Sequence, residues 1–202
     1  MGRKPLEPDA ISDFRDRICD AAINLIAEDG FEGLSLRRLA AELGCSHTTP
    51  YRYFDSKEDI FLAVRARCLD RFTTHQQAAV ARARSPEDRL RALARGYVSY
   101  ARQHPAAFRI SFQLDQPPAP AHGALQDASR RAWTVLRDTV ADAVGSGAIA
   151  GDVEALAHIF WAAMHGIASL HLAGKLRVPV GGLVTPTIDA LLSAHRPDQG
   201  SR

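Results

Sequence analysis

The chain has 202 residues, of which 46% are hydrophobic and 24% are charged, and its formal net charge at pH 7 is +2. A chain of this length can bury a core without disulfide or metal cross-links, and its composition excludes the disordered classes. The small charge excludes an architectural protein that coats DNA without regard to sequence, because residues 1–57 carry eight Lys and Arg against ten Asp and Glu.

The three cysteines, Cys19, Cys45 and Cys68, are odd in number and show no C-x-x-C spacing, which indicates a reduced, intracellular protein. The N-terminal residues lack the apolar core of a signal peptide. No segment approaches the roughly 20 apolar residues of a membrane span. We therefore expect a cytoplasmic protein that has no membrane partner.

Apolar residues recur at helical spacing along most of the chain and strand signals are scarce, so we predict an all-α fold with about nine helices. Residues 1–11 form a polar lead. The first helix covers about residues 12–29 and stops at Gly30, because glycine accepts the left-handed backbone of a helix end. Ser35 caps a short second helix that ends at Gly44.

Three further serines mark predicted helix starts. Ser46 caps a third helix that holds Pro50 in its first turn, where a missing N–H costs little. Ser56 and Asp59 begin a long helix to about residue 82, and Ser85 begins the next, to about residue 104. The remaining helices are predicted at 106–114, 124–145, 152–173 and 184–195, with a proline-rich loop at 115–123.

The predicted third helix, residues 46–54, carries almost only polar or amphipathic side chains, although its neighbours are apolar on one face. In a helix-turn-helix, the second helix enters the major groove of DNA. There, hydroxyl, imidazole and guanidinium groups reach base edges and phosphates. A polar helix is more often only a solvent-exposed face, so spacing alone leaves both interpretations open.

Residues 31–64, FEGLSLRRLAAELGCSHTTPYRYFDSKEDIFLAV, resemble the DNA-binding domain of the TetR (tetracycline-repressor-like) family of transcriptional regulators in order and spacing. Residues 160–176, FWAAMHGIASLHLAGKL, are similar to the C-terminal domain of a TetR subgroup named for its Trp-His-Gly motif. The motif is represented here by Trp161, His165 and Gly166. This resemblance identifies the chain as a candidate member of that family.

The resemblance implies a three-helix helix-turn-helix domain in residues 1–57 and a helical effector-binding and dimerisation domain in residues 58–202. It also implies DNA contacts at the positions that match the family motif. Arg38 can equally be a solvent-exposed helix charge, and Tyr51 can pack on the first helix. The predicted DNA-binding residues are Arg37, His47, Thr48, Thr49, Tyr51, Arg52, Tyr53 and Lys57.

The C-terminal helices are expected to form an effector pocket, because ligand sites are concave and mostly apolar with a few polar groups. Each aromatic residue among the candidates can equally belong to the core. The predicted ligand-binding residues are Tyr97, Phe108, Phe112, Trp133, Trp161, Met164 and His165. His158 and His165 share a helix face but lie about 10.5 Å apart along its axis. We therefore predict no metal site and no cofactor.

The resemblance implies a homodimeric repressor, and we expect no enzymatic activity. Its expected partners are a palindromic double-stranded DNA operator and an unidentified small-molecule effector. Helices 152–173 and 184–195 carry more apolar residues than one face requires, so we expect them to hold the dimer. The alternative is a helical small-molecule-binding protein or enzyme without a DNA-binding role. No Gly-rich phosphate loop, nucleophile motif or metal-ligand cluster supports that alternative.

Overall fold

The computed structural model describes residues 8–112 and 123–197, with side chains from residue 13 onward. This part of the chain is all-α, as predicted, with eight α-helices and one 3-10 helix, Pro50–Arg52, between the second and third of them. The α-helices are α1 (Pro8–Gly33), α2 (Leu36–Glu42), α3 (Lys57–Val80), α4 (Pro86–Gln103), α5 (Pro105–Phe112), α6 (Gly123–Gly145), α7 (Val153–Leu172) and α8 (Gly181–Ala194).

Serine caps begin three helices where the sequence predicts them. Ser35 and Ser85 each accept a hydrogen bond from the backbone N–H three residues later, at the starts of α2 and α4. Ser56 accepts one from Asp59 at 3.1 Å before α3. Helix α1 begins at Pro8, earlier than predicted, because proline is tolerated in a first turn. The predicted lead up to residue 7 and the proline-rich loop up to residue 122 lie outside the described residues.

Gly30 interrupts α1 where the sequence predicts a stop. Its backbone has φ 70° and ψ −171°, a conformation that side chains with a Cβ rarely adopt. A short helical turn then continues to Gly33. The glycine therefore redirects the chain ahead of α2, and this prediction is confirmed.

The predicted α-helix from Ser46 is wrong. Residues 46–49 form hydrogen-bonded turns, in which the Thr49 N–H donates to the Ser46 carbonyl at 2.8 Å, and only Pro50–Arg52 is helical, as a 3-10 turn. Three local causes oppose an α-helix here. Thr48 and Thr49 are β-branched, the Ser46 hydroxyl bonds locally to that of Thr48 at 3.0 Å, and Pro50 has no N–H to donate.

The chain divides into two compact units. The first comprises residues up to 69 together with 106–128, and the second comprises 70–105 together with the residues from 129 onward. In the first unit, Leu25, Leu39 and Phe54 are buried, as expected of core residues. The predicted domain boundary after residue 57 stays a prediction.

Within the second unit, α4 packs against α7 and α8, and α7 packs against α8. Helix α7 has an 18-residue window with a mean hydropathy of 1.2, so by length and composition alone it could cross a membrane. The sequence-based expectation that no segment is long and apolar enough to span a membrane is therefore wrong by length and hydropathy. The core helix of a soluble protein passes the same test. Only 28% of that window is buried, so the described residues leave much of this apolar helix uncovered.

Candidate functional site

The segment that joins α2 to α3 presents polar side chains outward from two buried anchors. Pro50 and Phe54 are buried, whereas His47 and Arg52 are exposed and Tyr51 is 58% exposed. Within the described part of the chain, His47, Tyr51 and Arg52 have no side-chain hydrogen bond or ion pair. These imidazole, phenol and guanidinium groups are therefore available to bind another molecule.

Helix α1 holds this segment in place. The Arg15 guanidinium donates to the Tyr53 carbonyl at 2.6 Å and lies 4.2 Å from the centroid of the Phe54 ring. The Tyr53 ring lies 4.8 Å from that of Phe14. Tyr53, predicted to contact DNA, is half-buried, so its ring anchors the segment and only part of it reaches the surface.

The two arginines of α2 differ in their partners. Arg38 lies 2.5 Å from the Asp29 carboxylate and donates to the Gly33 carbonyl at 3.1 Å. It therefore stabilises the connection between α1 and α2, which favours a structural role for it. Arg37 is exposed and contacts no carboxylate among the described residues, so its charge is open to a phosphate.

Lys57, at the start of α3, is partly held by its own chain. Its Nζ lies 3.6 Å from the Glu32 carboxylate and 4.2 Å above the centroid of the Phe31 ring. The Glu32 side chain is 91% exposed, and an exposed ion pair contributes little to stability. The ring positions the ammonium group, and the weak ion pair leaves it able to bind a phosphate.

Four of the seven predicted ligand residues meet in the second unit. The Trp161 indole N–H donates to the Tyr97 hydroxyl at 3.1 Å, and that hydroxyl lies 3.0 Å from Nδ1 of His165. The Trp133 ring centroid lies 6.1 Å from that of Trp161. The Tyr97 oxygen accepts from Trp161, and the direction of its hydrogen bond with His165 Nδ1 depends on which imidazole nitrogen carries the proton.

Burial sets the protonation of this cluster. It raises the pKa of Tyr97 above its ordinary value of 10.0 and lowers the pKa of His165 below its ordinary 6.5. Both shifts favour the neutral form of each group at pH 7. His165 and Trp161 are half-buried, so the cluster has a solvent-facing side that a ligand can reach.

The other three predicted ligand residues are placed differently. Met164 is 2% exposed and belongs to the core of the second unit. Phe108 and Phe112 belong to the first unit, where their ring centroids lie 4.9 Å apart. Their part in a ligand site stays a prediction.

The two histidines that share a face of α7, His158 and His165, have different contacts. His158 Nδ1 lies 2.8 Å from the Glu154 carbonyl, and its ring packs on Trp133 at 4.6 Å. No group of three or more metal-ligating side chains occurs in the residues that the structure describes.

A cleft of about 660 Å³ in the second unit was missed by sequence reasoning. It opens between α3 and α4, beside the turn that joins them, and is lined by alanines, Gly96 and three arginines. None of the predicted ligand residues lines it. The sequence does contain small residues at helical spacing on both helices, which could have indicated the cleft, but they belong to no recognised motif.

Two family models match the chain: the tetR family of bacterial regulatory proteins over residues 18–64, and the tetracyclin repressor-like C-terminal domain over residues 90–194. An uncharacterized HTH-type transcriptional regulator of Mycobacterium tuberculosis, Rv0681, is 30% identical over 166 residues, which cover 80% of this chain and 72% of that protein.

Two solved structures show the same fold. A protein with unknown function from Rhodococcus sp. RHA1 superposes with a TM-score of 0.83 at 29% identity, covering 96% of this chain and all of that one. The transcriptional regulator FadR from Bacillus subtilis, solved in complex with stearoyl-CoA, has a TM-score of 0.75 at 18% identity, covering 88% of this chain and 97% of that one. The Trp-His-Gly subgroup stays a prediction.

Proposed function

The chain belongs to the tetR family of bacterial regulatory proteins and is a DNA-binding transcriptional regulator, and from this premise we propose a more specific function. It is a cytoplasmic, homodimeric repressor without enzymatic activity. A small-molecule effector releases it from a palindromic DNA operator.

One observation supports the proposal that residues 46–54, called here the reading segment, contact DNA. Polar side chains without partners among the described residues project from this segment, and its anchors are buried. His47, Tyr51 and Arg52 are exposed, while Pro50 and Phe54 hold their backbone against the first unit. Hydroxyl, imidazole and guanidinium groups pair with base edges in the major groove and with phosphates. The DNA-binding residues are those predicted from the sequence, with Tyr53 acting mainly as an anchor.

The dimer is supported by the uncovered surface of α7. Its Ile159 is 39% exposed and its Leu170 is 48% exposed, on a helix whose most apolar window is only 28% buried. Exposed apolar surface on one helix is typical of an interaction site. A second copy of the chain, related by twofold symmetry, buries it and gives the two reading segments that a palindrome requires.

The effector is proposed to bind on the solvent-facing side of the cluster formed by Tyr97, Trp161 and His165. These groups combine aromatic surface with an imidazole N–H, the mixture that small-molecule sites use. A structural neighbour, FadR from Bacillus subtilis, was solved in complex with stearoyl-CoA. Release from DNA follows if the effector binds better to a conformation whose two reading segments are wrongly spaced.

A DNA titration tests the proposal, with the duplex upstream of the chain's own gene and a scrambled duplex at several salt concentrations. Lys57→Ala should weaken binding to both duplexes alike and reduce the salt slope by about one unit, because a phosphate contact is lost. His47→Ala should cost about 1–3 kcal/mol on the operator and leave the scrambled duplex nearly unchanged.

Arg102→Ala is the matched control, because Arg102 is an exposed arginine of α4 in the second unit and is not one of the proposed DNA-binding residues. It should leave both affinities unchanged. If His47→Ala and Lys57→Ala also leave binding unchanged, the proposal that the reading segment and Lys57 contact DNA is wrong. If the wild-type protein binds the two duplexes equally, the proposed operator is excluded.

A further inference from the structure

The cleft between α3 and α4 lies wholly in the second unit and includes none of the residues proposed to contact DNA or effector. Its floor consists of small residues, among them Ala79, Ala92 and Gly96. A Cβ at Gly96 would lie 2.7 Å from Oε1 of Gln76 and 3.0 Å from the Ala79 Cβ. The helices therefore approach closely at this point, and no large side chain fills the space above the floor.

Three arginines surround this floor, and their charges are not neutralised by the protein. Arg82, Arg84 and Arg95 are exposed, and none contacts a carboxylate in the described part of the chain. The one acid that lines the cleft, Asp88, lies 3.1 Å from Arg91, outside the lining. By contrast, several arginines of the same unit do contact carboxylates, among them Arg89, Arg91, Arg131 and Arg137.

A buried polar atom without a partner lies next to the same floor. Gln76 is only 3% exposed, and its Oε1 has no hydrogen-bond partner among the residues that the structure describes. Leaving a buried acceptor unsatisfied costs free energy, so native proteins usually provide a partner from the protein, water or a ligand. This oxygen lies beside Gly96, which lines the cleft, although Gln76 itself does not line it.

His75, which also lines the cleft, adds little positive charge at pH 7. Its ring packs edge-on against Tyr100 at 5.4 Å. Burial, together with the nearby His104, lowers the pKa of His75 below its ordinary 6.5. The positive charge of the cleft at neutral pH is therefore that of the three arginines.

We propose that this cleft binds a small organic anion with an apolar body, whose carboxylate or phosphate pairs with Arg82, Arg84 and Arg95 and whose hydrocarbon chain lies on the alanine floor. Guanidinium groups bind both kinds of anion in a bidentate manner. The volume of about 660 Å³ suits a small molecule. This is a second ligand site, separate from the effector site proposed at Trp161, and it stands whether or not that site binds an effector.

Calorimetric titration of the full chain, without DNA and at low salt, tests the proposal with four matched probes: octanoate, octyl phosphate, inorganic phosphate and octanol. Octanoate and octyl phosphate should each bind at least about tenfold more tightly than inorganic phosphate or octanol, because only they use both the charge and the floor. Raising the salt concentration should weaken both, since the arginines are exposed.

Replacing the three arginines together (Arg82→Gln, Arg84→Gln and Arg95→Gln) should weaken octanoate binding at least about tenfold, whereas the control Arg102→Gln should not change it. A second variant, Ala92→Leu, fills the floor and should weaken octanoate binding without removing the arginines. Circular dichroism checks that each variant is folded.

Three results overturn the proposal: octanoate that does not bind at millimolar concentration, octanoate that binds equally well to the triple variant, and inorganic phosphate that binds as tightly as octyl phosphate. None of these results bears on the DNA titration, so the two proposals can fail separately.

Discussion

The hydroxyl of Tyr97 joins two side chains that lie 64 and 68 positions later in the sequence, Trp161 and His165. Replacing Tyr97 with Phe removes this oxygen and leaves the indole N–H and the imidazole Nδ1 without their partner in a partly buried place. We expect Tyr97→Phe to lower the free energy of unfolding by about 1–3 kcal/mol, measured by urea denaturation.

Tyr51→Phe is the matched control, because the Tyr51 side chain is 58% exposed and its hydroxyl has no partner among the described residues. It should change the free energy of unfolding by less than about 0.5 kcal/mol. Equal effects of the two substitutions would show that the hydrogen bonds of Tyr97 contribute no stability.

The lowered pKa of His165 makes stability depend on pH in a definite direction. Burial holds the folded pKa below the ordinary 6.5, so near and below that pH the unfolded chain binds more protons than the folded one. We expect the free energy of unfolding to be greatest above pH 6.5 and to fall as the pH is lowered through the folded pKa. Chemical denaturation between about pH 8 and pH 5 measures this profile.

His165→Asn isolates this contribution, because its amide oxygen can accept from Tyr97 without titrating. The pH profile of this variant should be flatter than that of the wild type, with a residual slope from His75, whose pKa is lowered in the same direction. A steeper profile for His165→Asn would contradict the assigned direction.

At the scale of elements, the serine caps and the glycine break were predictable because each acts within one turn of helix. Ser35 and Ser85 accept from the N–H three residues later, and Gly30 adopts a backbone that favours glycine. The segment after Ser46 was not predicted correctly. Its hydroxyls bond to one another instead of capping an α-helix, and Pro50 ends as a buried anchor of a 3-10 turn.

Gly30→Ala should lower the free energy of unfolding by about 1–3 kcal/mol, because the Cβ is strained at φ 70° whatever space surrounds it.

Gly166→Ala is the opposite case. Gly166 lies inside α7, and a Cβ there would meet nothing within 4 Å, so the change should stabilise the single chain by about 0.4–1 kcal/mol. Thermal unfolding of both variants measures the contrast, and destabilisation by Gly166→Ala would indicate that a second chain packs at that glycine.

At the scale of the whole molecule, the proposed dimer would cover the exposed apolar side chains of α7. Ile159→Glu together with Leu170→Glu should convert the dimer to monomers, since two charges would be buried without partners in the interface. Sedimentation at micromolar concentration measures the mass. Gln77→Glu, at an exposed position of α3, is the control and should remain dimeric. A wild-type protein that sediments as a monomer would refute the dimer.

The sequence by itself determined the all-α class, most helix boundaries, the family and the exposed polar segment around His47, because caps, helical periodicity and motifs act over a few residues. Only the tertiary structure decided that Tyr97 meets Trp161 and His165, and that Gly96 opens a cleft beside unpaired arginines. Such contacts join residues far apart in the chain, and they depend on how closely whole helices pack. That distance is set by the side chains of both helices together, so no single stretch of sequence encodes it.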